Sequence, residues 1–201
     1  MLRVGLTGGL ASGKSLVGNA LASMGGRVIE ADQLGHEVLL PGAEAYAGVV
    51  AEFGDGILDS DGRIDRRKLA AIVFANPALL EKLNRLVHPA VFQREQAIMA
   101  EIGRADPRAI VVVEAAILVE TGSYKKFDRL IVAVCSLEQQ IERAMKRDGL
   151  TREEVLARLS RQLPLEDKVK VADYVIDTSG TKEKTMEQVR AVYGSLRGLS
   201  V

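Results

Sequence analysis

The chain has little of what marks a secreted or membrane-bound protein. A single cysteine, Cys135, occurs in 201 residues, so no internal disulfide is available, which fits a reducing compartment. No run of about 20 apolar residues is present, the length that crosses a bilayer. The opening residues lack a basic patch followed by an apolar core, the pattern of a secretory leader; "RVGLTGG" reads instead as a short strand entering a glycine loop. An excess of either charge is missing too. Lys plus Arg and Asp plus Glu both total 27, so no overall basic field argues for nucleic acid. A cytoplasmic location is expected, with neither membrane nor nucleic acid as partner. What the chain does have is 47% hydrophobic residues, enough at this length for a sizeable core.

Short β-branched runs recur at Arg3–Thr7, Arg27–Ala31, Ala109–Leu118, Arg129–Cys135 and Tyr174–Thr178. Such runs read as strands buried on both faces. Helical patterns lie between them at Lys14–Met24, Leu137–Arg147, Arg152–Gln162 and Lys182–Leu196. Alternating strands and helices predict an α/β fold, a five-stranded parallel sheet wrapped by helices. Between the second and third strands a long stretch, roughly 33–105, carries helical patterns only, among them Arg66–Phe74 and Pro77–Ile102. A crossover of that length reads as a helical insert within one main domain.

Gly8 to Ser15, "GGLASGKS", fits G-x-x-x-x-G-K-[ST], the phosphate-binding P-loop pattern. Its glycines permit positive φ and let backbone N–H groups of Gly9, Leu10, Ala11, Ser12 and Gly13 curl round a phosphate. The helix that follows, through Leu16, aims its positive dipole end at the same anion. Lys14 reaches β- and γ-phosphates, and the Ser15 hydroxyl is a ligand for Mg²⁺. The motif follows a strand pattern and opens a helix pattern, so a nucleotide site is expected. A GTPase is not: "DSDG" (Asp59–Gly62) matches Asp-x-x-Gly only within turn residues, and no Asn-Lys-x-Asp occurs. The same stretch fails as a calcium loop, because Ile57 and Lys68 fall at its first and twelfth positions.

A kinase needs a carboxylate near the acceptor hydroxyl, at the carboxyl end of a strand beside the P-loop. Asp32, which ends "RVIEAD", suits either that role or the N-cap of the helix it precedes. Glu114 and Glu120 fall near the same edge, and Glu114 reads either as a Mg²⁺ contact through water or as an ordinary strand-end carboxylate. "QIERAMKRDGLTREEVLARLSRQ" supplies Arg143, Lys146, Arg147, Arg152, Arg158 and Arg161 on two helices that meet at a glycine, with Thr151 and Glu154 forming a capping box. Arg143 and Arg147, four apart, share one face. The pair of helices reads as a lid that closes over the nucleotide, or as a solvated charged hairpin.

From end to end the sequence resembles the dephospho-coenzyme A kinases. The match rests on "GLTGGLASGKS", "EAD", "IDRRKLAAIVFANP", "LNRLVHP", "ILVETGSYKKFDRLIVAV", "RAMKRDGLTREE" and "ADYVIDTSG". The resemblance implies a P-loop kinase fold with a helical insert binding the acceptor (about 33–105) and a lid (137–165). It implies ATP-dependent phosphorylation of the ribose 3′-hydroxyl of dephospho-CoA, with ATP and Mg²⁺ as cofactors. On matching positions Asp32 is the general base, Lys14 and Ser15 are the phosphate and magnesium groups, and Arg143 and Arg147 are the lid arginines. Arg158 and Gln162 match the arginine and glutamine that follow, Arg66 matches an acceptor-binding arginine, and His88 falls at a matching position, where it reads either as a packing or hydrogen-bonding residue or as a substrate contact. In one departure, many relatives have aspartate and then proline where this chain has Glu114 and Ala116, so the resemblance leaves the role of Glu114 in the metal shell open.

Two other readings fit less of the chain: a P-loop kinase for a nucleoside or nucleoside monophosphate, and an ATP-binding regulator without transfer. Cys135 reads as a small buried residue, His36 as a neighbour of Asp32 on the following helix, and Tyr124–Asp128 as a surface turn. A monomer or weak homo-oligomer is expected.

Overall fold

The computed structural model describes residues 1–200. Five strands, β1 (Leu2–Gly8), β2 (Arg27–Glu30), β3 (Ile110–Glu114), β4 (Arg129–Val134) and β5 (Tyr174–Asp177), form one sheet in the order β2-β3-β1-β4-β5. Every pairing is parallel. The central strands carry their apolar runs because both faces are covered: all five residues of β3 are buried, and six of seven in β1. Leu2, Val4 and Leu6 of β1 point into a core with Leu21 of helix α1 (Lys14–Ser23) and Val189 and Leu196 of helix α9 (Lys182–Leu199).

The chain divides into two compact units, one of residues 1–30 and 101–200, the other of residues 31–100. The second contains α2 (Ala31–Glu37), α3 (Tyr46–Phe53), α4 (Arg66–Phe74) and most of α5 (Pro77–Ala105). It has its own core, centred on Val38, Val49, Ile57, Leu69 and Val73. α4 starts where the Asp65 carboxylate accepts from the amides of Arg67 and Lys68, satisfying two of the orphan donors of its first turn.

In the sheet-bearing unit, α6 (Leu137–Asp148) and α7 (Arg152–Leu159) are joined through Gly149, whose φ of 67° ends α6 in the left-handed region. Capping boxes open both helices, at Ser136 with Gln139 and at Thr151 with Glu154. A short α8 (Leu165–Val169) follows.

Most element ends shift from the sequence reading by one to four residues, and two of the differences have a visible cause. β3 stops at Glu114 rather than continuing towards Leu118, because the Ala116 carbonyl leaves the ladder to accept from Thr7 Oγ1 and Lys168 Nζ. α7 ends at Leu159 rather than Gln162, and the chain turns so that Gln162 reaches back to the first loop.

The packing yields a simple contrast. Leu21 is fully buried against the sheet, whereas Val175, on the edge strand, is 43% exposed. Leu21→Ala should cost about 2–5 kcal/mol and Val175→Ala under about 1 kcal/mol, read from urea unfolding midpoints.

Candidate active site

β1 delivers the chain into the glycine loop, and the loop's geometry is set by close approach. A Cβ on Gly8 would collide with Ser12 Oγ and lie 2.5 Å from the Ala133 carbonyl. Gly13 has φ 87° and would place a Cβ 2.8 Å from Thr178 Oγ1, so both its conformation and its surroundings require glycine. Ala11 also has positive φ, 54°, a conformation uncommon outside glycine that concentrates at functional loops. α1 then begins with no side chain capping its N-terminus and no acidic residue in its first turn. Its leading amides and positive dipole end are therefore available to an anion.

The loop is held by its own Lys14 and by side chains from three other segments, with Arg143 behind one of them. Lys14 curls back so that its ammonium donates to the Gly9 carbonyl at 3.3 Å. Ser15 Oγ donates to Glu114 Oε1 at 2.9 Å, and Glu114 is buried at the end of β3. Gln162 accepts from the Leu10 amide at 3.0 Å. Thr178, just past β5, donates to the Ser12 carbonyl at 2.8 Å and accepts from Arg143, whose second nitrogen donates to the Thr178 carbonyl at 2.7 Å. Ser15 and Glu114 make a pair of oxygen ligands of the kind a hard cation such as Mg²⁺ takes, alongside nucleotide phosphates.

The two-helix segment packs on the loop itself. Ile141, Ala144 and Val155 form a small core against Leu10 and Ala11. Arg143 and Arg147 leave α6 in different directions: Arg143 to Thr178, and Arg147 outward to Asp148 at 2.7 Å. That hydrogen bond holds the Asp148 carboxyl below the usual range and raises Arg147, and the exposed Arg158 adds its field at Asp148. Arg152 ties the start of α7 to Glu138 at 2.7 Å. Cys135 is buried, and that burial pushes its thiol up, away from the reactive thiolate.

In the second unit Asp32 is exposed and lies within the first turn of α2. The helix already includes Ala31, so Asp32 does not occupy the N-cap that one sequence reading gave it. His36, one turn later, feels both Asp32 and Arg66. Partial burial and the Arg66 charge push the imidazole down, against the pull of Asp32. The structure thus brings Asp32, His36 and Arg66 into electrostatic range. His88 is exposed on α5, just before Pro89, which gives it no packing role.

Two residues around the loop have no signature in the sequence. Thr178 reads as the polar end of a strand pattern. Lys168 reads as a solvated lysine in "LPLEDKVK", yet it is fully buried. Only the fold brings them to residues 8–12.

Comparison with known proteins gives the chain a family and a fold. The dephospho-CoA kinase family matches residues 2–184. A dephospho-CoA kinase of Aquifex aeolicus is 43% identical over 196 residues, 98% of each chain. Among solved structures, TT1252 from Thermus thermophilus superposes with a TM-score of 0.80 at 33% identity, covering 96% of this chain and 97% of that one. The dephospho-CoA kinase from Campylobacter jejuni gives 0.74 at 26% identity, covering 99% and 98%. The fold is that of the P-loop kinases, and with a family match across nearly its whole length the chain belongs to the dephospho-CoA kinase family.

Proposed function

We propose that this chain transfers the γ-phosphoryl group of ATP to the ribose 3′-hydroxyl of dephospho-CoA, giving coenzyme A and ADP. The observation that carries the reading is the first loop: open α1 amides behind a left-handed Gly13, Lys14 laid across the loop, and Ser15 bonded to Glu114. The family match supplies the acceptor.

In this reading the amides of Gly9 to Leu16 bind the ATP phosphates, and Lys14 leaves the Gly9 carbonyl for the β- and γ-oxygens. Ser15 and Glu114 would hold Mg²⁺, which would neutralise phosphate charge. Residues of the helical insert, about 33–105, bind the acceptor, with Arg66 on one of its phosphates and His88 as a further contact. Asp32 takes the proton of the 3′-hydroxyl as the new O–P bond forms and the bond to the β-phosphate oxygen breaks. Its exposure leaves it reachable, as a base requires. The 137–165 segment acts as the lid. Arg147 exchanges its exposed Asp148 partner for the transferring phosphoryl, and Arg143 and Arg158 add charge nearby. Little of the catalysis is covalent; most is positioning and electrostatics. The protein works in the cytoplasm, as a monomer or weak homo-oligomer.

ADP release from ATP and Mg²⁺ should depend on dephospho-CoA, and mass spectrometry should find coenzyme A. Release with adenosine in its place would keep the kinase and discard the acceptor. Asp32→Asn should lower kcat by about 10²-fold or more with ATP affinity largely kept, the scale of losing a general base; a kcat near wild type removes Asp32 from the reaction. Lys14→Met should reduce kcat by about 10²-fold or more, the scale of losing one donor to developing charge, with the Tm little changed.

A further inference from the structure

Lys168 is fully buried, with no exposed surface at all. Burying an ammonium is costly unless each of its protons finds an acceptor, and here each does. Nζ lies 2.6 Å from Glu120 Oε1, 3.0 Å from the Ala116 carbonyl and 3.4 Å from the Gly8 carbonyl. Glu120 Oε1 also accepts from the Leu163 amide at 3.2 Å. One cation thus joins three segments: the first residue of the phosphate loop, the turn after β3, and the chain leaving α7.

Both carbonyls belong to working parts of the proposed site. The C=O and N–H of a planar trans peptide point in opposite directions. Holding the Gly8 carbonyl therefore sets where the Gly9 amide, first of the loop's N–H groups, points. The Ala116 carbonyl lies two residues beyond Glu114, whose carboxylate receives the Ser15 hydroxyl. Fixing that turn fixes the depth at which Glu114 meets Ser15. Thr7 Oγ1 donates to the same Ala116 carbonyl at 3.2 Å, so the turn is held from β1 as well.

Stability alone does not account for the arrangement. A buried ion pair is readily replaced by apolar side chains of similar volume without loss of stability, whereas removing one partner leaves an uncompensated charge. The carbonyl contacts are what an apolar replacement cannot reproduce. We infer that Lys168 is a positioning residue for the phosphate loop, its ammonium orienting the Gly8–Gly9 peptide and the Glu114–Ala116 turn for nucleotide binding, with Glu120 as its counter-ion. The inference rests on the proposed ATP site and adds to it a residue that touches no substrate.

The test separates positioning from folding. Lys168→Met alone strands the Glu120 charge, and its Tm should fall. Lys168→Met with Glu120→Gln removes both charges and should recover most of that Tm. ATP affinity should not recover with it. Calorimetric titration is expected to show Kd for Mg·ATP raised by roughly tenfold or more, the scale seen when groups that orient a ligand set are removed, with KM for dephospho-CoA unchanged. A folded double variant with wild-type ATP affinity overturns the inference. Should the double variant not fold, Lys168→Arg carries the same test, since it keeps the charge beside Glu120 but moves the donors relative to both carbonyls. Weaker ATP binding at near wild-type Tm supports the inference, and wild-type binding overturns it. Failure of the wild-type chain to bind ATP would contradict the proposed function itself; an unaffected variant beside a binding wild type contradicts the inference alone.

Discussion

The left-handed turn at Gly13 is the constraint on which the rest of the site depends. It lets the chain leave β1, wrap through Gly9 to Ser12, and start α1 with its amides facing outward rather than capped by a side chain. Thr178 presses against the spot where any other residue would place a Cβ, so strand β5 and the loop can be this close only with glycine here. From that turn follow the positions of Lys14 and Ser15, one and two residues later. Ser15 then meets Glu114, which the β1 and β2 ladders hold at the end of β3.

Around this turn the structure places its polar contacts where they orient backbone rather than where they merely add ion pairs. Gln162, Thr178 and Lys168 all bond to main-chain groups of residues 8–12. Most of the ion pairs, such as Arg85 with Glu81 and Lys170 with Asp167, lie on the surface, where such contacts contribute little. A chain with equal numbers of cationic and anionic side chains can still gather donors at one point: open helix amides and Lys14 meet at the loop, and Lys168, charge-balanced there by Glu120, orients its backbone.

The sequence made the sheet and the loop legible for physical reasons. Parallel strands covered on both faces leave unbroken β-branched runs, and a phosphate loop needs its glycines and lysine at fixed local offsets, so both signals sit within a dozen residues. Thr151 and Glu154 were equally readable, because a capping box closes over four residues. Lys168 and Thr178 were not. Their partners lie 160 and 166 residues away in the chain, and nothing in "LPLEDKVK" separates a buried lysine from a solvated one. The end of β3 was misread for a related reason. The apolar run continues past Glu114, and only the tertiary contacts to the Ala116 carbonyl end the strand. Asp32 shows the converse limit: local sequence allowed it the N-cap of α2, but the helix begins at Ala31 and Asp32 lies inside its first turn.

In the proposed reaction the phosphates of ATP lie against the backbone of residues 9–15. Amide ¹H–¹⁵N spectra recorded during titration with Mg·ATP test this directly. The largest shifts should fall on Gly9 to Ser15, with smaller ones at Thr178 and Gln162, whose side chains bond to that backbone. Saturable ATP binding that leaves the amides of Gly9 to Ser15 unmoved, with shifts elsewhere in the chain, would contradict it.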